Sequence, residues 1–212
     1  MRDIPVFATE NGVASLTLKE IAYKQEAYVR IQDALFPEKL LEECMGFCRA
    51  AGAKKIYATG HPVVENHPHH ATILKMQCGK DILRETDAAL FPVQEKTFEK
   101  WRSILNERMA NVPNSATVTK ADEKQILQKG GAYFVHRGDI LLGVGLVEYD
   151  TLRAIAGVIP GAGEDVLSAL CSAICADTVV LEVADTNLPA VRLYERMGFV
   201  AVGAISSWYR VL

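Results

Sequence analysis

The 212 residues, half of them hydrophobic and 23% charged, are enough to bury at least one full core and allow one or two domains. Twenty-three basic against 26 acidic residues give a net charge of −3 with no Lys/Arg block, which argues against a nucleic-acid partner and for a small molecule or peptide. No segment reaches the roughly 18 apolar residues of a membrane span, and "MRDIPVFATENGVASL" lacks the apolar run of a signal peptide, so a cytoplasmic protein with no membrane partner is expected.

Two strands are predicted first, in "VASLTL" and "EAYVRIQDAL", apolar runs bounded by turn residues. A helix follows in "PEKLLEECMGFCRAAGA", where Leu40, Cys44, Phe47, Cys48 and Ala51 form one apolar stripe, with Pro37 early and Gly52 at the end. "KKIYATG" and "HATILKMQC" read as strands on either side of the polar loop "HPVVENHPHH". His61, His67, His69 and His70 fall in or next to that loop. Such a cluster suggests zinc or nickel, but no Cys or carboxylate stands at familiar ligand spacing, so a solvated loop without metal is expected. Residues 81–94 read as a linker between a lobe over 1–80 and a second one over 95–212.

The second lobe opens on two helices, "KTFEKWRSILNERMANVP" and "DEKQILQKGG", closed by Pro113 and Gly130. In "AYFVHRGDILLGVGLVEYDTLRAIAGVIP", "HRGD" and "EYDT" interrupt apolar runs and mark a meander of three antiparallel strands. A helix in "GEDVLSALCSAICA", the strand "TVVLEVAD", a helix in "NLPAVRLYERMG" and two last strands, "FVAVGAIS" and "WYRVL", complete the chain. This order implies an α/β protein with a mixed sheet and helices on its faces. The edge that "SSWYRVL" would form allows a homodimer. The helical pairs Cys44/Cys48 and Cys171/Cys175 read as reduced, buried core residues.

The element order from 95 to 212 and the stretch "TNLPAVRLYERMGF" carry a resemblance to the GNAT superfamily of acyl-CoA-dependent N-acetyltransferases. The stretch matches that family's Asn, then Ala three residues on, then Leu-Tyr-Glu, then Gly-Phe. The resemblance implies a GNAT-like mixed, mostly antiparallel sheet and acetyl-CoA as cosubstrate. It also implies that Asn187 contacts the pantetheine arm and that Tyr194 is the acid that protonates the departing thiolate. "AGVIP" resembles the family's fourth strand, so the backbone around Val158 and Ile159 is expected against pantetheine. After Pro160 the pattern departs: Gly163 stands where the family carries Arg or Gln, and Glu164 and Asp165 put two carboxylates at a helix start, where they suit the helix dipole but repel a diphosphate. Gly161 and Gly163 still let backbone approach a phosphate. The lobe over 1–80 repeats the second half of this order without the Asn-to-Tyr helix and reads as a truncated, non-catalytic GNAT-like lobe.

Each of these residues also has a plain structural role. Tyr194 lies on one helical stripe with Ala190, Leu193 and Met197, so its ring can simply fill the core; as an acid, its ordinary pKa near 10 sits close to that of a leaving thiol. Asn187 makes a good N-cap before Leu188 and Pro189. For the general base, Glu148 is the nearest candidate, ahead of Tyr149 and His136, against the reading of a solvated turn residue. The expectation is an N-acetyltransferase acting by direct transfer on a primary amine of a small molecule or peptide. A catalytically silent binding or regulatory protein that kept the fold is the alternative.

Overall fold

Alternation decides the first sheet. In "EAYVRIQDA" the residues Ala27, Val29 and Ile31 face one way and are buried, while Glu26, Tyr28 and Arg30 face the other. The computed structural model describes residues 5–212, so the first four residues of the segment read for a signal peptide lie outside it. The chain divides into two compact units, one of residues up to 73 together with 204–212, the other of 74–203.

In the first unit β1 (Val6–Thr9), β2 (Gly12–Thr17) and β3 (Glu26–Ala34) form an antiparallel meander, with a single helical turn α1 (Ile21–Lys24) before β3. Helix α2 (Pro37–Ala50) then returns the chain to β4 (Lys55–Thr59), parallel to β3. The buried face of α2, Leu40, Leu41, Cys44 and Cys48, packs with Ala27, Val29, Ile31, Ile56 and Ala58. Phe47, placed by spacing on the same stripe, instead stays 45% exposed against the ring of Phe7. The sheet's opposite face carries aromatic side chains: Tyr28 stacks on Tyr57, and Tyr57 on His70. The loop after β4 holds a 3-10 helix, Pro62–Asn66.

Two long strands run through both units. They are β5 (His69–Gly79) and β11 (Val200–Arg210). The two separate strands expected after Phe199 are therefore one. Its end is not a free edge either, since Tyr209 and Arg210 pair with Ala58 and Tyr57 of β4 and the Arg210 N–H donates to the Pro68 carbonyl on the other side. The edge expected of "SSWYRVL" as a dimerisation surface is thus absent.

The second unit adds β6 (Ala89–Pro92), which occupies part of the stretch expected to be a linker, then α3 (Glu95–Met109) and α4 (Glu123–Lys129). The meander is β7 (Ala132–Arg137), β8 (Ile140–Glu148) and β9 (Thr151–Gly157), followed by α5 (Gly163–Ser172), β10 (Thr178–Ala184) and α6 (Leu188–Arg196). Strand order here is β5-β10-β9-β8-β7-β6. The helices α3 and α5 cover opposite faces: Phe98, Trp101 and Leu105 pack with Phe134, Val144 and Ala156, whereas Val166, Leu167 and Leu170 pack with Val135, Leu142 and Leu152. A Cβ on Gly145 would lie 2.2 Å from Leu170 Cδ1, so a residue without a side chain is what lets α5 approach β8 this closely. No helix among the described residues is long and apolar enough to cross a membrane.

Candidate active site

A parallel pair that separates opens the site. β9 and β10 are joined only at Thr151↔Val180 and Leu152↔Leu181. Immediately beyond, the β8–β9 register shifts, with Val147 opposite Leu152 but Leu146 opposite Ala154, so that Arg153 is the extra residue of a β-bulge. A bulge bends its strand and adds right-handed twist. β9 turns off β10 at that point, leaving a wedge between the two strands.

Strand alternation determines which backbone groups line the wedge. The Val158 N–H donates to the Leu142 carbonyl at 2.8 Å, and the Val158 carbonyl accepts from Arg108 of α3 at 3.2 Å. Val158 was the expected pantetheine contact, but its groups are used inside the protein. Because the 142/158 pair is hydrogen-bonded, its neighbours at 143/157 and 145/155 are of the other kind, whose N–H and C=O point away from the partner strand. Gly157 and Ile155 therefore present their backbone to the wedge. Around Gly157 the space is open: a Cβ built there would meet nothing nearer than the Ile159 carbonyl at 4.0 Å. Ile159 is partly exposed, and its carbonyl accepts from the Ala162 N–H.

At the mouth of the wedge the chain turns through Gly161, whose φ of +85° is left-handed and favours glycine, with nothing within 4 Å of a Cβ. Helix α5 starts two residues on. Its first intrahelical bond is Val166 N–H to the Ala162 carbonyl, and no side chain caps it, so the N–H groups of Gly163, Glu164 and Asp165 have no intrahelical acceptor. Gly163 also packs on α6, where a Cβ would come within 3.2 Å of Leu193. The two carboxylates expected to repel a diphosphate are both paired. Glu164 accepts from Arg196 at 3.2 Å and Arg84 at 3.4 Å, and Asp165 from Arg137 at 2.9 Å and the Thr86 hydroxyl at 3.0 Å. Their charges are offset locally, which removes much of the expected repulsion.

Tyr194 sits on α6 with its ring buried against Phe199, the residue only 6% exposed. Its hydroxyl makes no hydrogen bond among the described residues, yet it is not among the buried unpaired polar atoms, so the oxygen reaches solvent while the ring does not. Burial, and secondarily the neighbouring Cys171 thiol, push its pKa well above that of free tyrosine. The hydroxyl therefore stays protonated through neutral and mildly alkaline pH, but it is a weaker acid than the matched pKa expected from sequence. Asn187 occupies the N-cap position of α6 without capping it: its side chain makes no cap bond, and its carboxamide has no partner among the described residues. Capping thus does not explain this asparagine.

Glu148 lies at the closed end of the wedge with both oxygens engaged, Oε1 by Lys129 and Oε2 by Arg153 at 3.2 Å. The Lys129 hydrogen bond, then the charges of Lys129 and Arg153, hold its pKa below the usual carboxylate range, which weakens it as a base. Tyr149 projects into solvent at 85% exposure, and His136 packs edge-on against Phe91 and Phe134. The four clustered histidines diverge: His61 Nδ1 accepts from the Val63 N–H, His69 meets Thr72 and Tyr209, and His70 stacks on Tyr57. No group of three or more metal-ligating side chains occurs among the described residues. Cys44, Cys48, Cys78 and Cys171 are buried and unbridged, whereas Cys175 is exposed because α5 ends at Ser172.

Arg153, Gly157, Ile155 and Arg108 escape a reading by sequence. A bulge leaves no local signature, and without its position the alternation along β9 cannot be phased.

No family model matches the chain, and no curated protein matches it in sequence. Solved structures do. A GCN5-related N-acetyltransferase from Sphaerobacter thermophilus is 13% identical and superimposes with a TM-score of 0.62 over 93% of this chain and 75% of its own. A GNAT-family acetyltransferase from Colwellia psychrerythraea, 11% identical, has a TM-score of 0.55 over 97% of this chain and 84% of its own. A tandem GNAT protein from the clavulanic acid biosynthesis pathway, also 11% identical, has a TM-score of 0.50 over 94% and 78%. At such identities the likeness is one of fold: the chain has the mixed α/β fold of the GNAT N-acetyltransferases.

Proposed function

We propose that this protein is an N-acetyltransferase that moves an acetyl group from acetyl-CoA directly to a primary amine of a small molecule or peptide. The observation that carries the reading is Tyr194, a buried ring with a protonated, solvent-reaching and unbonded hydroxyl, on the helix that follows the splayed strand β10. Gly157 and Ile155 would hold the pantetheine amides by their backbone, Asn187 would add its uncommitted carboxamide, and the uncapped N–H groups of Gly163, Glu164 and Asp165 together with Gly161 would face the diphosphate.

In the transfer the amine nitrogen forms a bond to the acyl carbon as the carbon–sulfur bond breaks. Tyr194 gives its proton to the sulfur, the amine's proton leaves to water, and the tyrosinate takes a proton back from solvent, which its hydroxyl oxygen reaches. Glu148, bound by Lys129 and Arg153, is not assigned as the base. The free cysteines suit a reducing compartment, and we place the protein in the cytoplasm.

The test is turnover. With acetyl-CoA and a panel of primary amines, free thiol should appear in step with acetylated amine. Acetyl-CoA binding without thiol release from any amine would instead favour a silent binding protein.

A further inference from the structure

The first half of β11 is exposed in a way no other strand of the protein is. All six residues of "VAVGAI", Val200 to Ile205, are exposed, so both faces of the strand meet solvent, with Val200 at 59% and Val202 and Ile205 at 46%. β11 lies between β4 and β5, and β4 reaches only as far as Tyr209 and Arg210. Beyond them, one edge of β11 has no strand beside it among the described residues. Hydrogen bonds at the end of the strand phase that edge. The Val211 N–H donates to the Ile56 carbonyl of β4, whereas the Arg210 N–H donates the other way, to the Pro68 carbonyl. By alternation the odd-numbered residues turn their N–H and C=O to the open edge, which puts Ala201, Gly203 and Ile205 there. No turn or loop backbone bonds to any of the three among the described residues.

We infer that this edge pairs with the same edge of a second copy of the chain, antiparallel about a two-fold axis at Gly203. Outward-facing residues must meet outward-facing ones, and only an axis at the middle residue uses all three. Gly203 then opposes its own counterpart, and Ala201 opposes Ile205 in both directions. Each opposed pair exchanges two N–H···O=C bonds, so the contact holds about six. A built Cβ on Gly203 meets nothing within 4 Å, so the centre of the edge is open to another backbone. The occupant follows from charge. Between Arg196 and Arg210 the chain carries no charged residue and no proline, so it lacks the devices that blunt an exposed edge, and two copies meet no like charges across the pair. Such a strand has nothing to select a charged partner, whereas a copy offers the same apolar residues on both faces, as an isologous contact requires. The inference is independent of the acetyl-CoA reading. It also differs from the edge expected of "SSWYRVL", which β4 occupies at Tyr209 and Arg210.

The experiment is sedimentation velocity of the full-length protein from micromolar to millimolar concentration, where a monomer should pass into a dimer. One strand pair is smaller than the about 1,200 Å² at which stable interfaces begin, so the equilibrium should move with concentration. Gly203→Pro removes the N–H at the axis without touching the edge that faces β5. It should raise the dissociation constant about tenfold or more, as for losing two of six bonds. Gly203→Lys and Gly203→Glu each set like charges directly opposite one another, so each alone should stay monomeric, while a mixture of the two should form a heterodimer. A wild type that stays monomeric throughout overturns the inference, as does a dimer that Gly203→Pro leaves unchanged. A mixture no more dimeric than its components overturns the pairing about Gly203. Capture of an extended apolar peptide by a wild type that never dimerises would assign the edge to another partner and also overturn it. Thermal melting equal to wild type in the three variants confirms that pairing, not folding, is being read.

Discussion

The two units solve the same strand–helix–strand problem and differ in one length. In the first, β3 and the parallel β4 pair at five successive positions, Glu26↔Lys55 to Arg30↔Thr59, before β3 meets its bulge at Gln32. In the second, β9 and β10 pair at two positions before the bulge at Arg153. The strands of the first unit also stay close past the last pair, since a Cβ on Gly60 would lie 2.3 Å from the Ile31 carbonyl. One unit is zipped shut and the other splayed. The next element differs in the same sense: a 3-10 helix over Pro62–Asn66 follows β4, while α6 with Asn187 and Tyr194 follows β10. The position of a single extra residue separates a parallel pair that stays zipped from one that parts after two positions.

The sharpest way to break this comparison is to delete Arg153. Leu152 and Ala154 already face opposite sides of the sheet, so removing the residue between them leaves both faces intact. β9 should then continue along β10, and acetyl-CoA binding should disappear in calorimetry while circular dichroism stays native. Binding that survives the deletion contradicts the role given to the bulge. Next in size, Tyr194→Phe should lower turnover about a hundredfold or more, the usual scale of a lost general acid, with acetyl-CoA affinity nearly unchanged. Because burial raises the Tyr194 pKa, its ionisation should not limit the rate on the alkaline side until above the ordinary tyrosine range; a fall in kcat near pH 10 in wild type that is absent in the variant would contradict that.

Much of this architecture is legible in the residues. The stripe of α2, the meander turns at "HRGD" and "EYDT", and the Pro-started, Gly-ended α6 all follow from period and punctuation, because local sterics and burial act within a few residues. What is not legible depends on contacts remote in sequence. β6 looked like a linker because four residues with an exposed Phe91 and a terminal proline form a strand only against β7. β11 looks like two strands because Ser206 and Ser207 interrupt its apolar run, although one strand, Val200–Arg210, runs through them. Of the residues named for the site, Tyr194 and Asn187 stand out by their motif alone. That the Val158 N–H is bound to the Leu142 carbonyl, and that Glu148 is paired with Lys129, nineteen residues away, depends on contacts between strands and helices that the local pattern does not carry.

Smaller effects sharpen the contrast from the closed side. Gly60→Ala should destabilise the protein by roughly 1–3 kcal/mol, because it forces a side chain onto a left-handed φ of +96° and into the Ile31 carbonyl. Turnover per folded molecule should stay at the wild-type value, as checked by urea unfolding beside the thiol-release assay. Smallest of all, Glu148→Gln should change kcat by less than about twofold at neutral pH, where a true general base would cost at least a hundredfold.

The central claim is that the splayed pair in the second unit is an acyl-CoA site and the zipped pair in the first is not. Calorimetric titration of the full-length chain with acetyl-CoA tests it most directly. One acetyl-CoA per chain is the predicted result; two per chain, or no binding heat at millimolar ligand, would contradict it.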